Sequence, residues 1–400
     1  MTANKHTDGS EAHRCPVCGT SGAGVFFEAL QVPVHCNVLW PTQAEALAAP
    51  RGDIRLAFCE ACGHIFNVAF DPSLMTYTQQ YENSLHFSPR FQQFAESLAA
   101  RLVERYNLHG KDIIEIGCGK GDFLRLLCEL GGNRGVGFDP SYDPALMDGD
   151  LPDGLTFVQD FYSPHYADYK ADLICCRHVL EHIEQPTAFI ANVRRAVGTQ
   201  DAALYFEVPN VLYTLRDRGI WDVIYEHPSY YSAASLGALF TASGFDVHSL
   251  EETYQGQFLS VEATPAAAAV GRQHAATSDR QAMRRLVSSF AESYRTKVSA
   301  WQRTLANITT AGQRAVIWGA GSKGVTFLNT LRAQDSIGFV VDINPRKQGQ
   351  YVAGTGQEIV PPEFLQEYRP DVVIVMNPIY MQEIQQMTAD LGLMPTLIHV

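Results

Sequence analysis

The chain has 400 residues, 46% of them hydrophobic, which is enough apolar material for two or three domains at ~100–200 residues each. A formal net charge of −13 argues against a nucleic-acid partner, whose phosphates require clustered Lys and Arg. The polar start MTANKHTDGSEAHR lacks an apolar signal core, and no run approaches the ~18 apolar residues of a membrane span. No secretory signal and no membrane partner are therefore expected, and the cytoplasm is the default location.

Residues 1–13 read as a disordered tail. The stretch to about residue 75 is rich in Cys, Gly and Pro with short apolar runs, and reads as a small β-rich module held by a metal rather than by a large core. Two C-x-x-C knuckles carry the metal argument. Cys15 and Cys18 form one and Cys59 and Cys62 the other, each followed by a glycine (Gly19, Gly63) that permits a tight turn. Four thiolates suit a closed tetrahedral Zn²⁺ with a structural role; an iron–sulfur cluster is the alternative. Cys36, Cys118, Cys128, Cys175 and Cys176 read as single buried thiols. Residues 1–75 form the first expected domain.

The second domain, 76–262, is expected to be α/β. A helix starts at Ser88-Pro89, with Ser as N-cap and Pro in the first turn. Strands and helices then alternate: DIIEI (112–116), the helical DFLRLLCEL (122–130), GVGFD (135–139), TFVQD (156–160), DLICC (172–176), the helical TAFIANVRRAV (187–197) and ALYFEVP (203–209). Such βαβ repeats predict a parallel sheet covered on both faces.

Gly117, Gly119 and Gly121 in EIGCGKG end one strand and open a helix, so backbone can approach a ligand at the edge of the sheet. Alone, that pattern also fits other nucleotide sites or a tight turn. Asp139 ends the next strand, where its carboxylate can take two ribose hydroxyls. Asp160 and Phe161 end the third, offering an acceptor for an adenine amino group beside a stacking ring. The fourth runs into Arg177-His178-Val179-Leu180-Glu181-His182.

In that order the set resembles class I methyltransferases, for which HVLEH after the fourth strand is characteristic. The resemblance implies S-adenosylmethionine as cofactor, with Tyr81, Glu115, Gly117, Cys118, Gly119, Asp139, Pro140, Asp160, Phe161 and His178 around it. HVLEH also matches the H-x-x-E-H peptidase pattern, which needs both histidines on one helix.

Residues 263–282 read as a linker. A long helix follows, with Met283, Leu286, Val287, Phe290, Tyr294, Val298, Trp301, Leu305 and Ile308 on one face, as expected of an interdomain or subunit packing surface. The third domain, 263–400, closes with a second Rossmann-like unit: AVIWGAGSKG (315–324), GFVVDINP (338–345) and DVVIVM (371–376). Its Gly319–Asp342 spacing of 23 residues nearly repeats the 22 of Gly117–Asp139, as an internal duplication or two independent units of a common fold would. The loop from Gly319 to Gly324 can be read either as a phosphate cradle with Lys323 nearby or as a turn without a ligand.

The order of cysteine module, methyltransferase domain and second Rossmann-like domain resembles the zinc-containing, S-adenosylmethionine-dependent sugar C-methyltransferases of deoxysugar biosynthesis. The two knuckles, Tyr225-Glu226-His227-Pro228-Ser229-Tyr230-Tyr231-Ser232 and WGAGSKG carry that resemblance over nearly the whole chain. It implies a small-molecule acceptor, a nucleotide-linked 4-keto sugar, with His227 as base and Glu226, Tyr225 and Tyr230 beside it. The family segment reads Y-H-E-H-x-S-Y; here Tyr225 replaces the first His and Ile224 the Tyr. Three other readings compete: an O- or N-methyltransferase of a small metabolite, an RNA-directed zinc-ribbon methyltransferase, and a scaffold without activity.

Overall fold

The computed structural model describes residues 13–75, 81–143, 153–166, 168–198, 200–267 and 277–400. Residues 1–12 of the expected tail and the centre of the expected linker lie outside these residues, and His13, the last residue of that tail, belongs to a strand.

The first sheet is antiparallel. β1 (His13–Arg14), β2 (Ser21–Pro33), β3 (Arg51–Phe58) and β4 (Ile65–Asn67) pair in sequence order, with α1 (Gln43–Leu47) between β2 and β3. The knuckles are the turns between β1 and β2 and between β3 and β4. Its apolar side is not held by metal alone. Phe27, Val34, Ile54, Leu56, Phe58 and Ile65 share one core with side chains from the middle and C-terminal parts of the chain. The expectation of a module without a large core is corrected: too small to bury its own face, the sheet borrows a core.

The second sheet begins after α2 (Pro89–Arg105), whose N-cap Ser88 accepts from the amide of Phe91. β5 (Asp112–Ile116), α3 (Asp122–Gly131), β6 (Arg134–Phe138), β7 (Leu155–Val158), β8 (Leu173–Arg177), α4 (Pro186–Val197) and β9 (Ala203–Pro209) follow. The central strands are buried on both faces, which is why they read as continuous apolar runs. α5 (Val211–Leu215) then leads to β10 (Ser229–Tyr230), which leaves this sheet and pairs with β4 of the first one, Ser229 opposite Phe66 and Tyr230 opposite Ile65. α6 (Ala233–Ala242), β11 (Phe245–Thr253) and β12 (Phe258–Pro265) complete the sheet in the order β11-β12-β9-β8-β5-β6-β7. β12 runs antiparallel to β9 and β11, and the other pairs are parallel.

α7 (Thr277–Thr310) is the long helix, so residues 277–282 of the expected linker are helical and 263–265 belong to β12. Met283, Val287, Phe290, Leu305 and Ile308 are buried in the core shared with the first sheet, where Phe290 packs on Phe26 and Phe27. The stripe is an interdomain face. β13 (Ala315–Trp318), α8 (Ser322–Leu331), β14 (Phe339–Val341), β15 (Glu358–Val360), α9 (Leu365–Tyr368), β16 (Val372–Val375), α10 (Met381–Asp390) and β17 (Thr396–His399) form the last unit. Its sheet is wholly parallel, ordered β15-β14-β13-β16-β17. Among the described residues no helix is long and apolar enough to cross a membrane.

Candidate active site

In each Rossmann-like sheet the chain order reverses beside one strand, β5 in the second and β13 in the third. Ligands bind outside the carboxyl ends of strands at such points. Here both points open on one cavity of about 720 Å³.

On the β5 side, the Gly117 amide donates to Phe138 O (2.7 Å), with φ at 69°. A Cβ there would lie 2.1 Å from a methyl of Val179, so only glycine fits. Gly119, φ 54°, is different: a Cβ would meet nothing within 4 Å, which leaves a cradle open beside its backbone. Its amide donates to Asp139 Oδ2 (2.8 Å), while Asp139 Oδ1 accepts from the Ser141 amide (2.8 Å) and hydroxyl (2.6 Å). Glu115, Cys118, Pro140, Asp160 and Phe161 line the same wall. Burial pushes the Glu115 carboxyl up to about 8, against the pull of Arg177. The Cys118 thiol is buried, and burial holds it well above the ordinary thiol range. Asp160 and Phe161 lie just past the end of β7, where Asp160 accepts from the Phe161 amide and the Tyr166 hydroxyl. The Phe161 ring is 62% exposed, available to stack on a planar group.

The wall facing these loops comes from the segment before β10. His227 lines the cavity with its ring 4.8 Å, centroid to centroid, from that of His182. Burial, then the neighbouring His182, His178 and Lys323, hold its imidazole well below 6.5 and hence neutral. Glu226 is fully buried; Oε1 accepts from the Cys36 amide (2.8 Å) and Oε2 from the Tyr81 hydroxyl (3.1 Å). Tyr81 lines the same cavity as the glycine loop and stands beside Glu226.

The expectation for Tyr225 and Tyr230 is corrected, since neither lines the cavity. The Tyr225 ring packs over Gly52 and Phe70, and its hydroxyl accepts from the Asp71 amide (2.8 Å). Tyr230 donates to Ile224 O (2.9 Å) and fastens the loop from beneath. Strand pairing decides this, because Tyr230 opposite Ile65 faces the shared core.

The β13 loop repeats three backbone-amide hydrogen bonds of the β5 loop, with the amide that holds the aspartate one position nearer the first glycine. Gly319 N donates to Val341 O (2.8 Å), Ala320 N to Asp342 Oδ2 (2.8 Å) and Asn344 N to Asp342 Oδ1 (2.9 Å). Lys323, read as a phosphate partner, is ion-paired with Asp222 across the cavity wall. Lys347, Asn344 and Glu82 form a corner of the cavity that the sequence reading missed, with Asn344 donating to Glu82 Oε1 (3.1 Å).

A family model described as a methyltransferase domain matches residues 89–250. A second, described as a C-methyltransferase C-terminal domain, matches residues 260–392. The chain is 27% identical over 311 residues to the C-methyltransferase NovU of Streptomyces niveus, covering 73% of this chain and 72% of that protein. The chain is a methyltransferase similar to C-methyltransferases. It is also similar to a solved magnesium protoporphyrin IX methyltransferase of Synechocystis PCC 6803 with bound SAH, at 21% identity, 44% of this chain, 84% of that one and TM-score 0.33. A 1,6-didemethyltoxoflavin-N1-methyltransferase of Burkholderia thailandensis, solved with its substrate and S-adenosylhomocysteine, gives 14% identity, 43% and 78% coverage and TM-score 0.34.

Two further features surround the site of this methyltransferase. Beneath the cavity, Glu207 is fully buried and pairs with Arg177 (Nη2, 2.9 Å) and His178 (Nε2, 3.4 Å), and accepts from the Tyr205 hydroxyl (3.0 Å). Burial alone would lower the His178 imidazole, but bonds to Glu181 and Glu207 push it up to about 9. His178 thus turns to Glu207 and Glu181, away from the two-histidine set that the peptidase pattern requires. At the knuckles, Gly19 N donates to Cys15 O (2.9 Å) and Gly63 N to Cys59 O (2.8 Å), with φ at 73° and 77°. The sulfurs stand 3.6 Å (Cys15–Cys62) and 3.5 Å (Cys18–Cys59) apart, and all four lie within 4.8 Å of one another. Zn–S bonds of ~2.3 Å arranged tetrahedrally need sulfurs ~3.8 Å apart, so the donors fit the ion.

Proposed function

We propose that this enzyme methylates a carbon next to the ketone of a nucleotide-linked keto-deoxysugar, with His227 as the base. The observation that carries the reading is a partly buried imidazole, held neutral and lining the same cavity as the glycine loop of β5. S-adenosylmethionine, when bound, supplies an electrophilic methyl on a sulfonium sulfur, and Asp139 and Gly119 with Glu115, Cys118, Pro140, Asp160 and Phe161 are the residues to hold it.

His227 takes the α proton onto an imidazole nitrogen, and the electron pair of the C–H bond moves into an enolate. General-base help of this kind contributes roughly 10²–10⁴-fold. Asp342, oriented as Asp139 is, and the N-terminus of α8 would receive the nucleotide end of the acceptor, with Lys347 and Lys323 supplying positive charge.

In the same reading, residues 1–75 hold a structural Zn²⁺ on Cys15, Cys18, Cys59 and Cys62, 76–262 bind the cofactor and 263–400 close the acceptor side. Paired reduced thiols suit the cytoplasm. The test is His227→Asn with a panel of nucleotide-linked 4-keto sugars. Exchange of the substrate α proton in D₂O and methyl transfer should both fall by at least about 100-fold. Unchanged exchange and transfer would sink the assignment.

A further inference from the structure

We propose that Glu181, His182 and His227 form a second metal site, which takes a first-row divalent cation such as Zn²⁺ or Co²⁺ on the cavity wall. Two chain segments supply it: the turn after β8 carries Glu181 and His182, and the loop before β10 carries His227. One ligand atom from each lies within 4.8 Å of the others. Donors about a metal with 2.0–2.1 Å bonds are ~3.3 Å apart, so closure needs side-chain shifts of about 1 Å.

Two details point to a ligand. The Nδ1 of His182 is 2.8 Å from Glu226 O. A carbonyl oxygen only accepts, so Nδ1 carries the proton and the lone pair is left on Nε2. A histidine held by a backbone carbonyl in this way has the tautomer and orientation that metal ligation uses. The second detail is Glu181, 2% exposed. Its Oε1 faces His178 Nδ1 at 3.6 Å, while its buried Oε2 has no hydrogen-bond partner among the described residues. A carboxylate oxygen left so is costly, and a cation satisfies it.

Two imidazoles and one carboxylate make a His₂Glu donor set, which leaves a fourth position open to the cavity. The site is distinct from the four-thiolate centre and goes beyond the proposed reaction. One consequence does rest on that reading: a cation here takes the His227 lone pair, so an occupied site has no base and methyl transfer stops.

Binding is read without any acceptor, so its failure is separable from failure of the base assignment. Protein whose thiolate centre is filled with Zn²⁺ is titrated with Co²⁺, followed by calorimetry and by the visible spectrum. One further equivalent is expected, with nitrogen and oxygen ligand-field bands and no thiolate charge-transfer band. Glu181→Gln and His182→Asn should each weaken it at least about tenfold while S-adenosylhomocysteine affinity, the measure of an intact fold, stays unchanged. Absence of the further equivalent at millimolar Co²⁺ would overturn the proposal, as would equal affinity in both variants.

Discussion

Replacing Glu207 by glutamine keeps the shape of the side chain and removes the one charge that Arg177 and His178 share. Both partners are poorly solvated: side-chain exposure is 6% for Arg177 and 25% for His178. Removing one member of a buried pair costs about 3–5 kcal/mol, because the remaining charge is left uncompensated. His178 reports the change directly. Its rise from 6.5 to about 9 corresponds to about 3 kcal/mol of preference for the imidazolium form, and Glu207 and Glu181 together supply it against burial. In Glu207→Gln only Glu181 remains, so at least half of that interval should vanish.

The sign follows from linkage. A histidine whose folded value lies above its unfolded one stabilises fully below about pH 6.5, and that contribution is lost as pH rises through about 9. Glu207→Gln should therefore cost more stability at about pH 6 than at about pH 10. Ring-proton NMR titration, with His178→Asn for assignment, reads the first effect and urea unfolding at the two pH values reads the second. A wild-type His178 that titrates at or below 6.5, or a pH-independent cost, would refute the reasoning.

Gly117→Ala drives a Cβ to 2.1 Å of Val179 at a φ of 69°, and overpacking of this kind costs about 1–3 kcal/mol; S-adenosylhomocysteine calorimetry should show the affinity falling about tenfold or more. Cys59→Ser should abolish the zinc equivalent found by elemental analysis. Because β4 pairs with β10, it should also slow methyl transfer while S-adenosylhomocysteine binding on the β5 side persists. Burial holds His227 well below 6.5, so its basic form persists as pH falls; the rate of α-proton exchange should stay level from pH 8 to below 6.5 and decline only as pH passes through the lowered folded value.

What the sequence made legible was local. EIGCGKG, the knuckles and the long apolar stripe are each written within a few residues of one another, and periodicity or spacing reads them. The misses are matters of distance and facing. Tyr81 meets Glu226 and Asn344 meets Glu82 across wide stretches of chain that no spacing rule connects. Tyr225 and Tyr230 sit in the right segment, yet β10 pairs with a different sheet and turns Tyr230 into a core. The N-terminal module read as metal-held because its own apolar content is small. Only the tertiary arrangement supplies the rest of its core from α7 and the C-terminal unit.

The repeated loop geometry says why two such units share one cavity. Asp139 and Asp342 are each held by one amide of the preceding glycine loop and by the amide two residues on. Each carboxylate is thereby aimed before any ligand arrives, and both line the same cavity. The spacing between walls is set by direct bonds between sheet edge and C-terminal unit: Gln257 and Asn377 exchange amide bonds at 2.9 Å, Tyr254 meets Tyr380 at 2.7 Å and Ser88 donates to Glu383 at 2.8 Å. Methyl transfer needs donor and acceptor held within a fraction of an ångström of an in-line approach. A site divided between two rigid sheet ends, and bolted across, fixes that distance through backbone. The mobile cost of orientation then falls on the ligands, and in the proposed reaction the side chains between the walls are left to handle the proton.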